Sequence, residues 1–522
     1  MILPSSVAAY GWIPFAAVIL LILLFSVLFI RHYQSAAEYE FASSAIAVLS
    51  LLLTLSTFAL LPVDVFLVSW MKTANGTFQD WAANKTDRDS VEAGVMYAYY
   101  SLYSVLTVLA FLVLPFAYFY YEERDDDRPW RPRFCSALKY SIGFTILAGA
   151  ILLTGAFIPL NNDLNLNGTA WDDLQAVFHS FEKNGGEDAI SFLVSILCLI
   201  GIIFNVVYTG YGMANWPIRL IKGSRSVRRD YEDVVARRAE MRREQEAANS
   251  RLYPSIRSRE LQERERLLAR QERELEGPAN SRVRAFLAAA WRPFEVLGGV
   301  ALLSLSLLIF VSLLLTNVDK AMHSYMHYGY LLPKSNRTLP NPIDWVLVKS
   351  QVVFPLDFIL FGIMAVFMVL ATIMAVRNLG IRCLCIKLFR IRPHGTRPQG
   401  ILFLCFILIF SVLGLNVIFY FLSPQYSTFG SQHYLGFTDL SDGLTGAMEV
   451  KPCEELVVDD CEMTRNSFFL VRYFFKAWFF GACYYWFSWG ILAMYIMGLL
   501  HTLVQKQATA ADEAVDDYDE LE

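Results

Sequence analysis

The sequence predicts an all-α, polytopic integral membrane protein of about nine transmembrane helices, and three observations carry that prediction. Hydrophobic residues make up 55% of the 522 residues, more than a soluble chain with one buried core accommodates. They gather into nine apolar stretches, each supplying the roughly 20 residues that a helix needs to cross the hydrocarbon. The charged residues collect between these stretches, so the formal net charge of -5 averages basic loops with an acidic tail. That distribution gives no support to nucleic-acid binding.

In chain order the stretches lie near residues 10–30, 42–68, 95–121, 138–159, 189–214, 295–316, 351–376, 400–422 and 472–499. The first lacks a basic flank on its N-terminal side and its apolar run exceeds a signal-peptide core, so it reads as a retained span. Residues 1–215 form a five-span half and 295–499 a four-span half with a polar loop at 423–471. Between the halves lies 216–294, the one long polar interruption. From Trp216 to Arg292 it carries 19 Lys/Arg against 12 Asp/Glu, an excess of seven. Basic loops stay cytoplasmic, so this segment predicts a lumenal N-terminus and a cytosolic C-terminus. The loop near 377–399, with Arg377, Arg382, Lys387, Arg390, Arg392 and Arg397, falls on the same side.

Glycan acceptors test that orientation, because Asn-x-Thr is modified only in lumenal loops. Asn75, Asn84, Asn167 and Asn336 all fall on the predicted non-cytoplasmic side. Cys453 and Cys461 share the polar loop between the last two spans. An oxidising lumen favours a disulfide between them, two free thiols being the alternative.

The central segment reads as two helical arms, broken at Tyr253-Pro254 and stopped at Gly277-Pro278. Leu261, Leu268 and Leu275 recur every seven residues on the second arm. They predict a narrow seam toward the first arm or a partner helix, a solvated salt-bridged helix being the alternative. Tyr231, Tyr253 and Tyr518 each open a Tyr-x-x-apolar string on the predicted cytosolic side, the form that clathrin adaptors dock. Residues 500–522 form a tail, and its stretch from Ala510 to Glu522 carries seven acids and no base.

No Walker-type glycine loop, HExxH or GxSxG occurs, so the sequence predicts neither ATP hydrolysis by this chain nor an enzyme. The informative residues are acids within spans, since a carboxylate at a helix centre costs about 2.5–3.5 kcal/mol on insertion scales. LPVDVFLVSW holds Pro62 and Asp64, and FPLDFILFG holds Pro355 and Asp357. Each pairs a helix-bending proline with an acid two residues on. The released carbonyls and the carboxylate suit a polar substrate or proton site, and two structural kinks are the alternative. Asp319, His323 and His327 share one face if the sixth helix continues past Asn317, which suits metal binding or the sensing of lumenal acidity, a lumenal surface patch being the alternative.

The strings LPVDVFLVSWMK with NGTFQDW, YFYYEERDDD, ALKYSIGF, GAFIPLN, YGMANWPIRLIKGSRS, TNVDKAMHS, VFPLDFIL, RPQGILFLC and SPQYSTFGSQ run in order across nearly all nine spans. Together they resemble the lysosomal cobalamin transport proteins of the limb-region-like membrane family. The central loop and residues 436–450 depart from the pattern. The resemblance implies a multi-pass lysosomal membrane protein that serves cobalamin export from lumen to cytosol, with cobalamin as carried ligand and no tightly bound cofactor or metal. The family's members are described as the exporter itself or as an escort for an ABC-class lysosomal transporter. As a transporter, this chain would use Asp64 and Asp357, with Asp319 as a lesser contact. As an escort, adaptor or endocytic membrane receptor it would use the arms and the tyrosine strings, and the acids would be structural. The chain has no DxHxxG loop of the kind that holds cobalt through histidine.

Overall fold

The computed structural model describes residues 13–35, 40–123, 130–157, 187–223, 227–249, 282–323, 339–383, 386–439, 445–453, 461–474 and 478–505, apart from 352 and 354, with several positions between 265 and 273. Its helices are α1 (Ile13–Tyr33), α2 (Phe41–Ser69), α3 (Lys85–Val108), α4 (Leu114–Glu122), α5 (Trp130–Phe157), α6 (Glu187–Lys222), α7 (Val227–Asn249), α8 (Arg282–His323), α9 (Pro342–Ser350), α10 (Leu356–Leu379), α11 (Pro398–Leu422), α12 (Pro424–Phe429), α13 (Arg465–Phe474) and α14 (Trp478–Val504). Two antiparallel hairpins accompany them, β1 (Ile381–Cys383) with β2 (Ile386–Phe389) and β3 (His433–Asp439) with β4 (Thr445–Pro452). Among the described residues nine helices are long and apolar enough to cross a membrane: α1, α2, α3 with α4, α5, α6, α8, α10, α11 and α14. The nine-span expectation holds.

The prolines act through the hydrogen bonds they remove. α3 passes into α4 through a π turn at Leu109–Val113, directly before Pro115. The wider turn accommodates a ring that would otherwise collide with the carbonyl of Phe111. Pro62 lies inside α2, as the sequence suggests. Pro355 does not bend a helix: it stands at the N-cap of α10 and places Asp357 in the first turn. The ring costs nothing there, because the first N–H groups of a helix have no intrahelical partner.

The chain divides into two compact units. In the first, residues 1–213 and 306–496, α11 is the hub. Apolar on all sides, it has 89% of its spanning window buried, against 11% for α1, the contrast expected between a core helix and one facing lipid. It packs on α2, α4 and α10. α6 crosses it at Gly201 and Gly414, so closely that a Cβ at 201 would meet the Phe410 carbonyl oxygen and one at 414 the Gly201 backbone. Close backbone approach through small residues is the packing mode of membrane helices. It lets Asn205 Nδ2 donate to the Ser411 carbonyl at 2.8 Å; on its side toward α10, α6 brings the Thr209 hydroxyl to 2.6 Å from that of Thr372.

The polar loop between the last two spans is built as a strap of α12, the β3–β4 hairpin, the Cys453–Cys461 disulfide and α13. It is tied to the C-terminal end of α2, where Ser431 N donates to Ser69 Oγ at 3.0 Å. The α2–α3 turn backs onto it, Gly76 touching the Tyr434 backbone.

The second unit, residues 214–305 and 497–522, is built on cations at helix C-termini. Arg292 donates to the Leu220 and Ile221 carbonyls that end α6, at 3.1 and 2.7 Å. Lys222 donates to the Thr502, Leu503 and Gln505 carbonyls that end α14. Each cation satisfies orphan carbonyls and complements the helix dipole. The arms pair: Arg238 of α7 bridges Glu265 (3.2 Å) and Glu272, Arg242 reaches Glu265 (2.9 Å), and Val234 and Leu268 are fully buried. Leu268 therefore lies in the seam, while Leu261 and Leu275 lie outside the described residues. Arg242 first, and Arg238 with it, holds the Glu265 carboxyl below its ordinary value. Its ionic contribution is therefore complete above the unfolded value of about 4.3 and is lost as pH falls through the lower folded value. Hydrogen exchange in α7 should accelerate through that window in wild type, and Arg238→Ala should show the fast rates already at neutral pH; a pH-independent α7 would refute the pairing.

Candidate functional site

The span acids singled out by the sequence converge on the strap. Asp64, 1% exposed, accepts the backbone N–H groups of Arg465 at 3.2 Å and Asn466 at 2.8 Å. These open α13 and have no carbonyl of their own helix to bond. Thr464, the residue before, accepts the N–H of Ser467 at 3.3 Å in the manner of an ordinary N-cap. The start of α13 is thus capped twice, once locally and once by a carboxylate from α2. The Arg465 side chain pairs with Glu92 of α3, itself buried, and Tyr99 of α3 borders Asp64. Burial pulls the Arg465 guanidinium below its ordinary value while Asp64 and Asp89 oppose the shift, and an arginine so placed stays charged. Arg88 and Glu462 form a flanking pair at 3.4 Å.

A second set lies at α12. Asp357 accepts the Tyr426 hydroxyl at 3.0 Å. Asp344, in the first turn of α9, accepts the N–H groups of Gln425 at 3.2 Å and Tyr426 at 3.0 Å, which open α12. Burial first, then the Asp357 charge, pushes the Tyr426 hydroxyl well above the usual tyrosine value, so it remains a donor. Asn341 caps α9, accepting from Ile343 N (3.0 Å) and Asp344 N (3.3 Å), and donates to Thr316 Oγ1 (2.9 Å) and the Leu422 carbonyl (2.8 Å). The two sets meet where Thr464 donates to the Ser427 carbonyl at 2.7 Å. Chemically this is a clamp: Asp64 of the spanning helix α2 and Asp344 of the short helix α9 hold the N–H ends of α13 and α12, and Asp357 of the span α10 holds the Tyr426 side chain.

Asp319 stands apart from these contacts on α8, which does continue past Asn317 to His323. Its carboxylate lies 3.1 Å from His323 Nδ1 and accepts Leu339 N at 3.2 Å; His327 lies outside the described residues. Among the described residues no group of three His, Cys, Asp or Glu is placed to hold a metal. Asn75 and Asn84 are exposed in and after the α2–α3 turn, and Asn167 and Asn336 lie outside the described residues. Tyr231 is helical within α7, not extended; Tyr253 and Tyr518 lie outside the described residues.

Asp344, Asn341, Glu92 and Arg465 escaped the sequence reading. For Asn341 and Asp344 a signal existed, since Asn-Pro-x-Asp places a capping residue before a proline at N1 and an acid in the first turn. Glu92 and Arg465 carry no local signal, because each is defined by the other across the fold.

The family model for LMBR1-like membrane proteins matches residues 11–283. A "Probable lysosomal cobalamin transporter" of Nematostella vectensis is 42% identical, covering 100% of this chain and 98% of that protein. The "Lysosomal cobalamin transport escort protein LMBD1" of Danio rerio is 38% identical over 98% of this chain and 96% of its own length. The human protein of the same name is 38% identical over 99% and 97%. No solved structure matches. Matched by the family model from its first span into the central segment and aligned end to end with these relatives, this multi-pass lysosomal membrane protein belongs to the LMBR1-like membrane protein family.

Proposed function

We propose that this chain serves export of cobalamin from the lysosome and acts there as the escort of an ABC-class transporter, not as the conducting path. The observation that carries the reading is the engagement of Asp64: its carboxylate is committed to two backbone N–H groups beside Arg465. Asp357 is likewise tied to Tyr426. A carrier moving cargo uphill without a nucleotide site needs a carboxylate that gains and loses protons freely in its path. These acids hold the strap instead. The orientation that suits the role has a lumenal strap, glycans at Asn75 and Asn84 in and after the α2–α3 turn beside it, and cytosolic arms, with Tyr253 and Tyr518 available to clathrin adaptors and Tyr231 held in helix.

A second reading, transport by this chain itself, draws support from polar groups deep in the bundle. Both side-chain polar atoms of the buried Asn416 lack a hydrogen-bond partner among the described residues, and so does the Ser411 hydroxyl. Cobalamin flux into sealed liposomes containing only this purified protein, with and without a pH gradient, separates the two. The escort reading expects no saturable flux until the partner transporter is added. Saturable flux that follows the gradient in its absence would overturn that reading.

A further inference from the structure

Among the described residues, the one positive φ on a residue other than glycine belongs to His394, at 56°. A Cβ is crowded against its own backbone in that region, which glycine occupies freely. His394 takes the position although Gly395 follows directly. A backbone outlier of this kind points to a task for the side chain it carries.

The turn that holds His394 is fastened twice. Thr396 Oγ1 accepts from Arg392 N at 2.9 Å and donates to the Arg392 carbonyl at 2.8 Å, closing residues 392–396 on themselves. The closed turn is then bonded to the end of α1. His394 N donates to the His32 carbonyl at 2.9 Å, Thr396 N to the Tyr33 carbonyl at 3.1 Å, and Ser35 N to the Thr396 carbonyl at 3.0 Å. This register sets the His32 and His394 rings side by side, centroids 5.2 Å apart and planes at 71°, both on the surface.

That spacing is the one a shared metal requires. With metal–nitrogen bonds of about 2.0–2.1 Å and tetrahedral angles, the centroids of two ligating imidazoles lie roughly 5 Å apart. The backbone bonds fix the spacing in advance, and rotation about the soft χ2 of an exposed histidine aims the ring nitrogens. Arg31 adjoins His32, and Arg392 and Arg397 share the loop of His394. Such neighbours disfavour hard cations, which are held by charged oxygen ligands. Neutral imidazoles suit zinc, copper and nickel instead.

We propose that His32 and His394 form a two-histidine site for a divalent transition metal of the Zn²⁺ or Cu²⁺ type, joining the end of α1 to the loop before α11. The metal's remaining positions are left to water. The proposal stands independently of the export reading.

The test titrates Zn²⁺ into the untagged full-length protein in neutral-lipid nanodiscs, against a chromophoric chelator. Wild type should bind one equivalent that His32→Ala and His394→Gly each lose. Its affinity should fall by at least about tenfold, the loss that follows when even an outer partner of a metal ligand is removed. His394→Gly takes away the ring while suiting the backbone, so the loss is not one of folding. The double variant should lose no more than either single variant, because both rings serve one metal. Zn²⁺ should also raise the unfolding temperature of wild type more than that of His394→Gly. Unaltered Zn²⁺ binding in His394→Gly, or losses that add in the double variant, overturns the proposal and leaves the two rings as an edge-to-face contact.

Discussion

Gly201→Leu is expected to unfold or misassemble the membrane unit, while Gly362→Leu leaves it intact. Both replace a glycine within a spanning helix, and both should gain about 0.5–1 kcal/mol of helix propensity. They differ in what the new side chain meets. At 362 an added Cβ has nothing within 4 Å, whereas at 201 it runs into the Phe410 carbonyl oxygen and the Gly414 nitrogen. Overpacking costs about 1–3 kcal/mol where side chains can yield. Backbone atoms of a second helix cannot rotate away, so α6 and α11 must separate. Separation also removes the Asn205–Ser411 contact and the approach of Cys198 Sγ to the Leu413 carbonyl. Such bonds average about 0.6 kcal/mol each in membrane proteins. Thermal unfolding in detergent and arrival at the lysosome should both fail for Gly201→Leu and be normal for Gly362→Leu. Equal behaviour of the two variants would refute the crossing.

The nine spans were legible in the chain because each is a local property: an uninterrupted apolar run of sufficient length. Pro62 inside α2 was legible for the same reason. Pro355 was misread because its string resembles that around Pro62, yet α9 stops at Ser350 and a new helix starts at this proline. The strap was illegible in kind. α12 has six residues and α13 ten, too few to hold a helix in isolation. Their N-terminal N–H groups find carboxylates on other helices, Asp64 lying 401 residues before Arg465. The acids could be recognised as unusual, but their partners, being backbone N–H groups that every residue carries, leave no compositional trace. On the arms, the spacing of Leu268 was legible and the Arg238 clamp was not, because an Arg/Glu-rich sequence permits many pairings.

Asp64 is where capping and transport diverge most, and three substitutions there and at Asp357 separate them. Asp64→Leu leaves two N–H groups without their acceptor and Arg465 with Glu92 and Asp89 as its remaining acids. Breaking a buried, hydrogen-bonded charge in this way costs about 3–5 kcal/mol. Asp64→Asn keeps one carbonyl oxygen for those donors but turns an amide nitrogen toward the other, and an unmet buried donor costs about 1–3 kcal/mol. Asp357→Asn keeps a carbonyl oxygen for the Tyr426 hydroxyl and weakens the carboxylate's contacts with the N–H groups of Asp357 and Phe358 at the open first turn of α10, a loss of about 1 kcal/mol. Clamp chemistry therefore predicts an order: stability falls least for Asp357→Asn, more for Asp64→Asn and most for Asp64→Leu. Lysosomal cobalamin release should follow that same order, because release fails only as the strap loosens. Proton-coupled transport predicts a different pattern, with release abolished in both asparagine variants at near-normal stability. Measuring thermal unfolding and cobalamin release side by side in the three variants decides between them. Full loss of release in a stable Asp64→Asn protein would end the clamp interpretation, and release that tracks stability would remove the acids from the set of transport residues.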